Sequence, residues 1–271
     1  MTRDVCSLCQ NQLLPVTGET MSAAARDILA DLAPTGKLRV AINLANFLLT
    51  KTHPTTGEHG GVAVELGTEL GRRLGVEVQI IAYPSPGALA DAASSGVWDV
   101  GFLGAEPQRA TEIDFTAPYV EIEATYLVPA DSPLKTVADV DSPGQRIGVM
   151  AKSAYDLYLT RSLKHAKLIH EHSADRAFRR YVDDRLEALA GLRPALLADR
   201  QKQSGSSVLE GNFTSVKQAA GTPKGRHAGA AYLREFIEDV KQSGLVRRAV
   251  ESNGIQGLTL AAPATDGLRA S

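Results

Sequence analysis

The stretch WDVGFLGAEPQRATEIDFTAPY, residues 98–119, places one arginine, Arg109, in a short loop between an apolar strand and the segment IDFTAPY. We expect the run DVGFL to form a buried strand, because it is short and apolar. An arginine that a rigid sheet holds in a loop can bind a small anion through a pair of hydrogen bonds. Arg109 is therefore a candidate for binding a small anionic molecule.

The residues on both sides of this stretch predict two series of alternating strands and helices. Helix patterns have apolar residues at three- and four-residue spacing, and strand patterns are short and rich in β-branched residues. The first series has strands at 37–43, 76–82 and 99–103 and helices at 62–74 and 86–94. The second has strands at 146–150, 167–170 and 186–191 and helices at 153–163, 174–182 and 193–201. Each series is typical of a parallel sheet covered by helices.

Two extended segments, near 126–129 and 213–216, connect these series, so the fold class is α/β with two lobes and two hinge crossings. We expect the first lobe to comprise residues 37–127 and 215–257 and the second lobe residues 128–214. Residues 1–36 are expected to form an N-terminal tail and helix, and residues 258–271 a disordered tail. A cleft between hinged lobes is a natural site for a small ligand.

Composition and charge exclude several classes of partner. The 271 residues have a net charge of -2 and only 5% aromatic residues, with no basic stripe or polybasic cluster. Nucleic acid and anionic membrane surfaces are therefore not expected partners. No apolar run approaches the ~20 residues of a membrane span. We expect a monomer that does not insert into a membrane.

The first twenty residues contain neither a signal-peptide pattern nor a complete metal site. Without an apolar run for export, a cytoplasmic location is expected as the sequence stands, with Met1 and Met21 both open as the natural start. Cys6 and Cys9 form a single CxxC with no second pair of ligands, and are expected to be two unpaired thiols.

Four blocks resemble, in order, the family 3 extracellular solute-binding proteins, the polar amino acid receptors of ABC importers. The resemblance runs from residue 37 to about 254, through the blocks GKLRVAIN, GVAVELGTELGRRLGVEVQI, GVWDVGFLGAEPQRATEIDFTAPY and DSPLKTVADVDSPGQRIGVMAKSAYDLYL. It implies the periplasmic-binding-protein type 2 fold, venus-flytrap closure around a ligand, no cofactor, and an ABC transporter permease as a possible partner. The family norm is a periplasmic location.

The resemblance places the family's carboxylate-binding arginine on Arg109. The alternative is a surface arginine paired with Glu106 or Glu112. Gly104 and Ala105 match positions where the family contacts its ligand through backbone and hydroxyl groups. Since hydroxyls are missing from both residues here, only backbone contacts are expected.

In the second lobe, AKSAYDLYL matches the segment in which a helix N-terminus faces the same carboxylate. Ser153 is expected to cap that helix, and the amides of Ser153 and Ala154 to point toward an anion. Lys152 replaces the glycine that is usual in the family. It either adds positive charge beside the cleft or points to solvent.

The main departure from the family is Leu192, which stands where amino acid receptors have an acidic residue that binds the ligand ammonium. A buried ammonium beside leucine would lose its partner, which is costly. Either another acid, such as Glu123, takes this role, or the ligand has no ammonium. If Arg193 turns inward, the ligand has a second acidic group. A simple carboxylate or dicarboxylate therefore competes with an amino acid.

Four further residues are weaker candidates for ligand contacts. Asn46 and Phe47 fall in the loop where the family places an aromatic lid, and Tyr83 and Tyr119 lie near strand ends. Packing between the lobes is the commoner role of a half-buried aromatic residue.

We expect a binding protein rather than an enzyme. The alternative is a lyase that resembles cyclohexadienyl dehydratases on the same scaffold, with Glu123 as general acid and Arg109 with Lys152 or Arg193 holding the anion. No Ser-His-Asp order, phosphate loop or HExxH motif is present.

Overall fold

Eight α-helices and thirteen strands alternate along residues 21–264, the part of the chain that the computed structural model describes. The predictions for Cys6, Cys9 and the other residues outside that range lie outside the described residues. In chain order the elements are α1 (Ala23–Leu32), β1 (Lys37–Asn43), β2 (Lys51–Thr52), β3 (His59–Gly60), α2 (Val62–Leu74), β4 (Glu77–Tyr83), α3 (Pro86–Asp91), β5 (Val100–Gly104), β6 (Ile113–Phe115), β7 (Val120–Pro129), β8 (Arg146–Met150), α4 (Ala154–Ser162), β9 (Lys167–Glu171), α5 (Ala174–Asp183), β10 (Ala188–Leu192), α6 (Arg193–Lys202), β11 (Ser206–Val208), β12 (Thr214–Pro223), α7 (His227–Gln242), α8 (Leu245–Ser252) and β13 (Thr259–Leu260).

The first lobe is built on the parallel strands β4, β1 and β5. Helix α2 packs against them because its apolar residues recur every fourth position, and Val62, Leu66, Leu70 and Leu74 are all buried. The helix ends at Gly75, whose φ of 69° is the left-handed conformation that glycine adopts without strain.

The second lobe repeats this plan with parallel strands in the order β10, β8, β9. Its core includes Ile147, Val149 and Leu159, from one strand and the helix that follows it. In both lobes the loops that follow the carboxyl ends of the parallel strands face the cleft, which is where open α/β sheets bind ligands.

Two long antiparallel strands, β7 and β12, belong to both lobes. Residues 120–124 of β7 pair with β12, and residues 124–127 pair with β10, so Ala124 has Thr214 on one side and Leu192 on the other. Beyond this point β12 pairs with β5, joining the lobes through one continuous sheet. The exact residue bounds of the two lobes stay a prediction.

The expected disordered tail is wrong where the structure describes it. Thr259 and Leu260 form β13, which pairs with Glu121 and Val120 of β7, and the amide of Ala261 donates to the Tyr119 oxygen. The exposed edge of β7 supplies the backbone partners that order this segment, although its sequence lacks periodicity. Within residues 21–264, no helix combines the length and the apolar character that crossing a bilayer requires.

Candidate functional site

A cavity of about 590 Å³ lies between the lobes. It is bounded by the loop after β1, the end of β5, one face of β12 and the loops and helices after β8, β9 and β10. Its lining residues are Asn43, Leu44, Ala45, Asn46, Phe47, Pro84, Pro86, Gly104, Arg109, Met150, Ser153, Ala154, Tyr155, Ser173, Ala174, Asp175, Ala177, Leu189, Ala190, Gly191, Leu192, Ala195, Leu196, Ala198, Asp199, Lys202, Val216 and Gln218.

Arg109 is the buried cation of this cavity, with 5% of its surface exposed. Its Nη1 donates to the Gly104 oxygen (2.6 Å) and its Nη2 to the Lys152 oxygen (2.8 Å), so the guanidinium contacts both lobes. Glu106, one of the two expected surface partners, pairs with Arg161 instead. Among the described residues, no carboxylate forms an ion pair with Arg109.

Burial lowers the pKa of Arg109 to about 10, although the carboxylates of Glu106 and Asp91 act in the opposite direction. The charged guanidinium has lost most of its hydration, and its hydrogen-bond partners among the described residues are two neutral carbonyl groups. An anion in the cavity would supply the missing compensation.

The start of helix α4 faces Arg109 from the second lobe. Ser153 is the N-cap, as predicted, and its Oγ accepts from the Asp156 amide (3.0 Å). The Ser153 amide donates to the Met150 oxygen (3.3 Å), so it is already engaged. Ala154, the first residue of the helix, has no acceptor for its amide within the helix and lines the cavity. Its amide is therefore better placed than that of Ser153 to bind an anion.

Lys152 lies beside the cavity without lining it, and its side chain reaches the first lobe. Its Nζ pairs with Asp91 (2.6 Å), and a backbone φ of 55° places it in the left-handed region. The Lys152 amide donates to Asp156 Oδ2 (2.7 Å), which holds the strained turn. With Arg161–Glu106 (2.6 Å), this ion pair joins the two lobes at the rim of the cavity.

The loop after β1 forms another part of the wall. The Asn43 Oδ1 accepts from the Ala45 amide (3.1 Å), and the Thr50 hydroxyl donates to the Asn43 oxygen (2.7 Å). Asn46 is buried, whereas half of the Phe47 surface is exposed at the edge of the cavity. Both predicted residues of this loop line the cavity.

Leu192 lines the cavity, whereas the charged residues Glu123 and Arg193 do not. The Arg193 Nε donates to Glu123 Oε2 (2.7 Å), and the guanidinium also contacts the oxygens of Leu209 and Gly211. Asn212 donates to the other Glu123 oxygen (3.2 Å). Arg193 and Glu123 therefore form an ion pair with each other at the crossing between the lobes. Neither residue lines the cavity.

Three more predicted residues lie outside the lining. The amide of Ala105 donates to the Lys217 oxygen (2.8 Å), as part of the sheet. Tyr119 packs in the core of the first lobe, edge-on to Phe102 with 6.0 Å between ring centroids, and burial raises its pKa. Tyr83 is half-buried against the cluster around Trp98.

The structure brings together Asn46, Phe47, Gly104, Arg109, Ser153, Ala154 and Leu192, and it places Tyr83, Ala105, Tyr119, Glu123, Lys152 and Arg193 elsewhere. The part of each in ligand binding stays a prediction.

Sequence reasoning missed several lining residues, notably Asn43, Tyr155, Asp199 and Gln218. One signal was available for Gln218, because a polar residue that alternates with Val216 and Ala220 on a buried strand face is unusual. Asp199 gave no such signal, since it lies on a helix of mixed polarity and pairs with Lys202 (2.8 Å). Across residues 21–264, no group of three or more His, Cys, Asp or Glu residues could hold a metal ion.

A family model described as bacterial extracellular solute-binding proteins, family 3, matches residues 38–253. Since that description names extracellular proteins, the expectation of a cytoplasmic protein is not supported. No curated protein sequence matches the chain.

Solved structures share the fold at low sequence identity. A mutant of ArgBP from T. maritima has a TM-score of 0.69 and 20% identity, over 86% of this chain and 100% of that one. The L-cysteine receptor of Neisseria gonorrhoeae has a TM-score of 0.71 and 22% identity, over 83% and 93%. An ancestral amino acid-binding protein, described as a precursor of cyclohexadienyl dehydratase, has a TM-score of 0.68 and 21% identity, over 83% and 97%. These structures support the type 2 periplasmic-binding-protein fold.

Proposed function

The chain belongs to the bacterial extracellular solute-binding proteins, family 3, and we propose that it binds a small carboxylate-bearing solute in the cavity between its lobes. The observation that supports a carboxylate is the buried guanidinium of Arg109, which lines the cavity and whose hydrogen-bond partners within residues 21–264 are two backbone carbonyls. A cation this buried is strongly disfavoured without an anion. A ligand carboxylate would form two charge-assisted hydrogen bonds with the guanidinium.

The second lobe adds a complementary contribution to the same anion. Ala154 begins helix α4, and the unpaired amides of a helix N-terminus favour negative charge. Ala154 lies so close to Gly104 that a methyl group on the glycine would be 3.0 Å from Ala154 Cβ. The two lobes thus approach each other beside Arg109, and a ligand bound there would contact both.

We propose that the protein acts as a monomeric solute receptor, with an ABC transporter permease as its partner. Support comes from the family and from neighbours with the same fold that are described as amino acid-binding or cysteine-binding proteins. At this low sequence identity the neighbours support the fold and not a particular ligand. Amino acids and simple carboxylates therefore both belong in a ligand panel.

The dehydratase-like hypothesis has weaker support. It is supported by one structural neighbour that is described as a precursor of cyclohexadienyl dehydratase. It requires a general acid beside the bound substrate, and Glu123, the expected acid, is paired with Arg193 and is not among the lining residues. Turnover of prephenate by the purified protein would favour the lyase over the receptor.

Thermal shift with a panel of amino acids, hydroxy acids, dicarboxylates and prephenate tests the proposal. A ligand at 100 times its dissociation constant stabilises the native state by about 2.7 kcal/mol. We expect at least one carboxylate to shift the melting temperature, and Arg109→Ala to abolish the shift. Arg72→Ala is the matched control, because Arg72 is an exposed arginine of the first lobe that pairs with Glu69 and does not line the cavity. No shift with any carboxylate, or an unchanged shift in Arg109→Ala, contradicts the proposal.

A further inference from the structure

The first-lobe wall of the cavity displays three side-chain amides that the proposed function does not use. Asn43, Asn46 and Gln218 line the cavity, and each is more than nine-tenths buried. With Arg109 they make up the polar side chains that this wall presents. No carboxylate of the first lobe is among the lining residues.

Gln218 is the most constrained of the three. It lies on β12 in register with Gly104 on one side and Val120 on the other, and 5% of its surface is exposed. Its backbone takes part in the sheet, while its side chain points with that of Val216 toward the cavity. Among residues 21–264, nothing donates to its side-chain oxygen or accepts from its side-chain nitrogen. Because this amide lines the cavity and has no protein partner there, both its donor and its acceptor are available to a bound ligand.

The two asparagines extend the same chemistry. The Asn46 Oδ1 is a buried acceptor without a hydrogen-bond partner among the described residues. The Asn43 Oδ1 accepts from the Ala45 amide, which leaves its Nδ2 as the free donor. Together the three amides offer neutral donors and acceptors beside the buried cation.

The opposite wall does not supply the charge that an ammonium beside Arg109 would need. Leu192 lines the cavity and pairs with Ala124 of β7 at the crossing. The lining carboxylates of the second lobe are Asp175, which is exposed, and Asp199, which is paired with Lys202 at 2.8 Å. Neutral amides stabilise a hydroxyl or an amide group well, whereas a desolvated ammonium requires an anion.

We propose that Gln218, supported by Asn43 and Asn46, binds an uncharged hydrogen-bonding group of the ligand, so that the cavity selects hydroxy- or amide-bearing carboxylates over amino acids. This inference rests on the proposed function, because the carboxylate of the same ligand is bound at Arg109. Gln218 is then the specificity-determining residue, and it acts through direct contact with the second polar group of the ligand.

Isothermal titration with acid pairs that differ only in hydroxyl against amino group tests the inference. The pairs are lactate and alanine, malate and aspartate, and 2-hydroxyglutarate and glutamate. We expect the hydroxy acid to bind about tenfold more tightly or better in at least one pair, since a site built to bind a hydroxyl penalises its replacement. An amino acid that binds more tightly than its hydroxy partner in every pair that binds overturns the inference.

Substitutions at Gln218 give the second arm. Gln218→Leu should weaken hydroxy-acid binding by about tenfold, since it removes both hydrogen-bonding groups at similar volume. Gln218→Glu should shift the preference toward the amino acid of the same pair by placing a carboxylate there. Lys217→Leu is the matched control, because the neighbouring Lys217 is exposed and does not line the cavity.

The outcomes separate the two proposals. If binding depends on Arg109 but Gln218→Leu and Gln218→Glu both keep the wild-type preference, the inference is overturned and the proposed function stands. If no acid of any pair binds, the inference is overturned as well, and the wider panel then decides the proposed function. Circular dichroism of each variant establishes that it is folded, and Gln218→Glu provides a second test if Gln218→Leu does not fold.

Discussion

Arg109 of the first lobe donates a 2.8 Å hydrogen bond from Nη2 to the backbone oxygen of Lys152 in the second lobe. The same guanidinium donates to Gly104 within its own lobe. One buried cation therefore both lines the ligand cavity and joins its two walls. Ligand binding and lobe closure are consequently expected to depend on each other.

Ligand affinity should fall at high pH because of Arg109. Burial lowers its pKa to about 10 in the unliganded protein, from 12.5. The affinity for a carboxylate should be constant from pH 7 to pH 9 and then fall by about tenfold per pH unit above the pKa, as the cation is lost. Titration calorimetry across this range measures the effect, and constant affinity to pH 11 would contradict it.

The lowered pKa of Arg109 should affect the stability of the unliganded protein in the opposite direction, so that its contribution to stability increases at high pH. The native pKa of Arg109 lies below the unfolded value of 12.5, so the unfolded state binds this proton more tightly. Its contribution to the free energy of unfolding should therefore rise as pH increases from about 10 to 12.5. Comparison of wild-type protein with Arg109→Met by urea denaturation isolates this contribution, which should be absent from the variant.

A side chain at Gly104 should prevent full closure. A Cβ at this position would lie 3.0 Å from Ala154 Cβ, across the lobe interface, and 3.0 Å from Val216 Cγ1. Gly104→Val should weaken ligand binding by more than tenfold and give a larger radius of gyration in X-ray scattering. Gly60→Ala is the control, since a methyl group there meets no atom within 4 Å. Ligand-induced compaction of Gly104→Val equal to that of wild type would refute this role.

The ion pairs Lys152–Asp91 and Arg161–Glu106, which both join the two lobes, should contribute unequally to closure. Lys152 and Asp91 have side chains that are 62% and 60% exposed, whereas Glu106 is only 9% exposed beside Arg161. Asp91→Asn should weaken ligand affinity by no more than about fivefold, because exposed pairs contribute about 0.2–1 kcal/mol. Glu106→Gln should weaken it further, because its carboxylate is more desolvated.

A matched control for both variants is Glu77→Gln, which breaks the exposed pair between Lys37 and Glu77 within the first lobe. Calorimetric affinities for one carboxylate decide the comparison. Equal effects of Asp91→Asn and Glu106→Gln, or an effect of Glu77→Gln as large as theirs, would show that these pairs do not act through closure.

Asp99 should be essential for the stability of the first lobe. Its fully buried carboxylate accepts from Arg39 Nη2 (2.7 Å), Arg39 Nε (2.9 Å) and Arg226 Nη1 (2.7 Å). Asp99→Asn should reduce the free energy of unfolding by about 3–5 kcal/mol, because it leaves two arginines without their anion. Urea denaturation followed by Trp98 fluorescence measures the loss, and a loss below about 1 kcal/mol would contradict it.

Much of the fold was predictable because its signals are local. The fourfold spacing of Val62, Leu66, Leu70 and Leu74 requires only that one helix face be apolar, and Gly75 ends that helix through its own backbone. Ser153 was likewise recognisable as a cap from its position before a helix. Strand β13 was not predictable, since Thr259 and Leu260 are ordered by β7, more than a hundred residues earlier in the chain.

The candidate site divides in the same way. The sequence by itself determined that Arg109 follows a buried strand and that Ser153 begins a helix. These are properties of single positions relative to their own elements, and local patterning is sufficient to assign them. That Leu192 stands where amino acid receptors have an acidic residue followed from the resemblance to the family, and not from local patterning.

Only the tertiary structure decided which of these residues share a cavity and which partners their charges have. In the structure Glu123 and Arg193 pair with each other and do not line the cavity. Gln218, which lies on the strand β12 that runs back between the lobes, does line it. Burial and hydrogen-bond partners depend on residues distant in the chain, so no local pattern contains them. For the same reason, the lowered pKa of Arg109 follows from its burial among residues of both lobes and not from its neighbours in sequence.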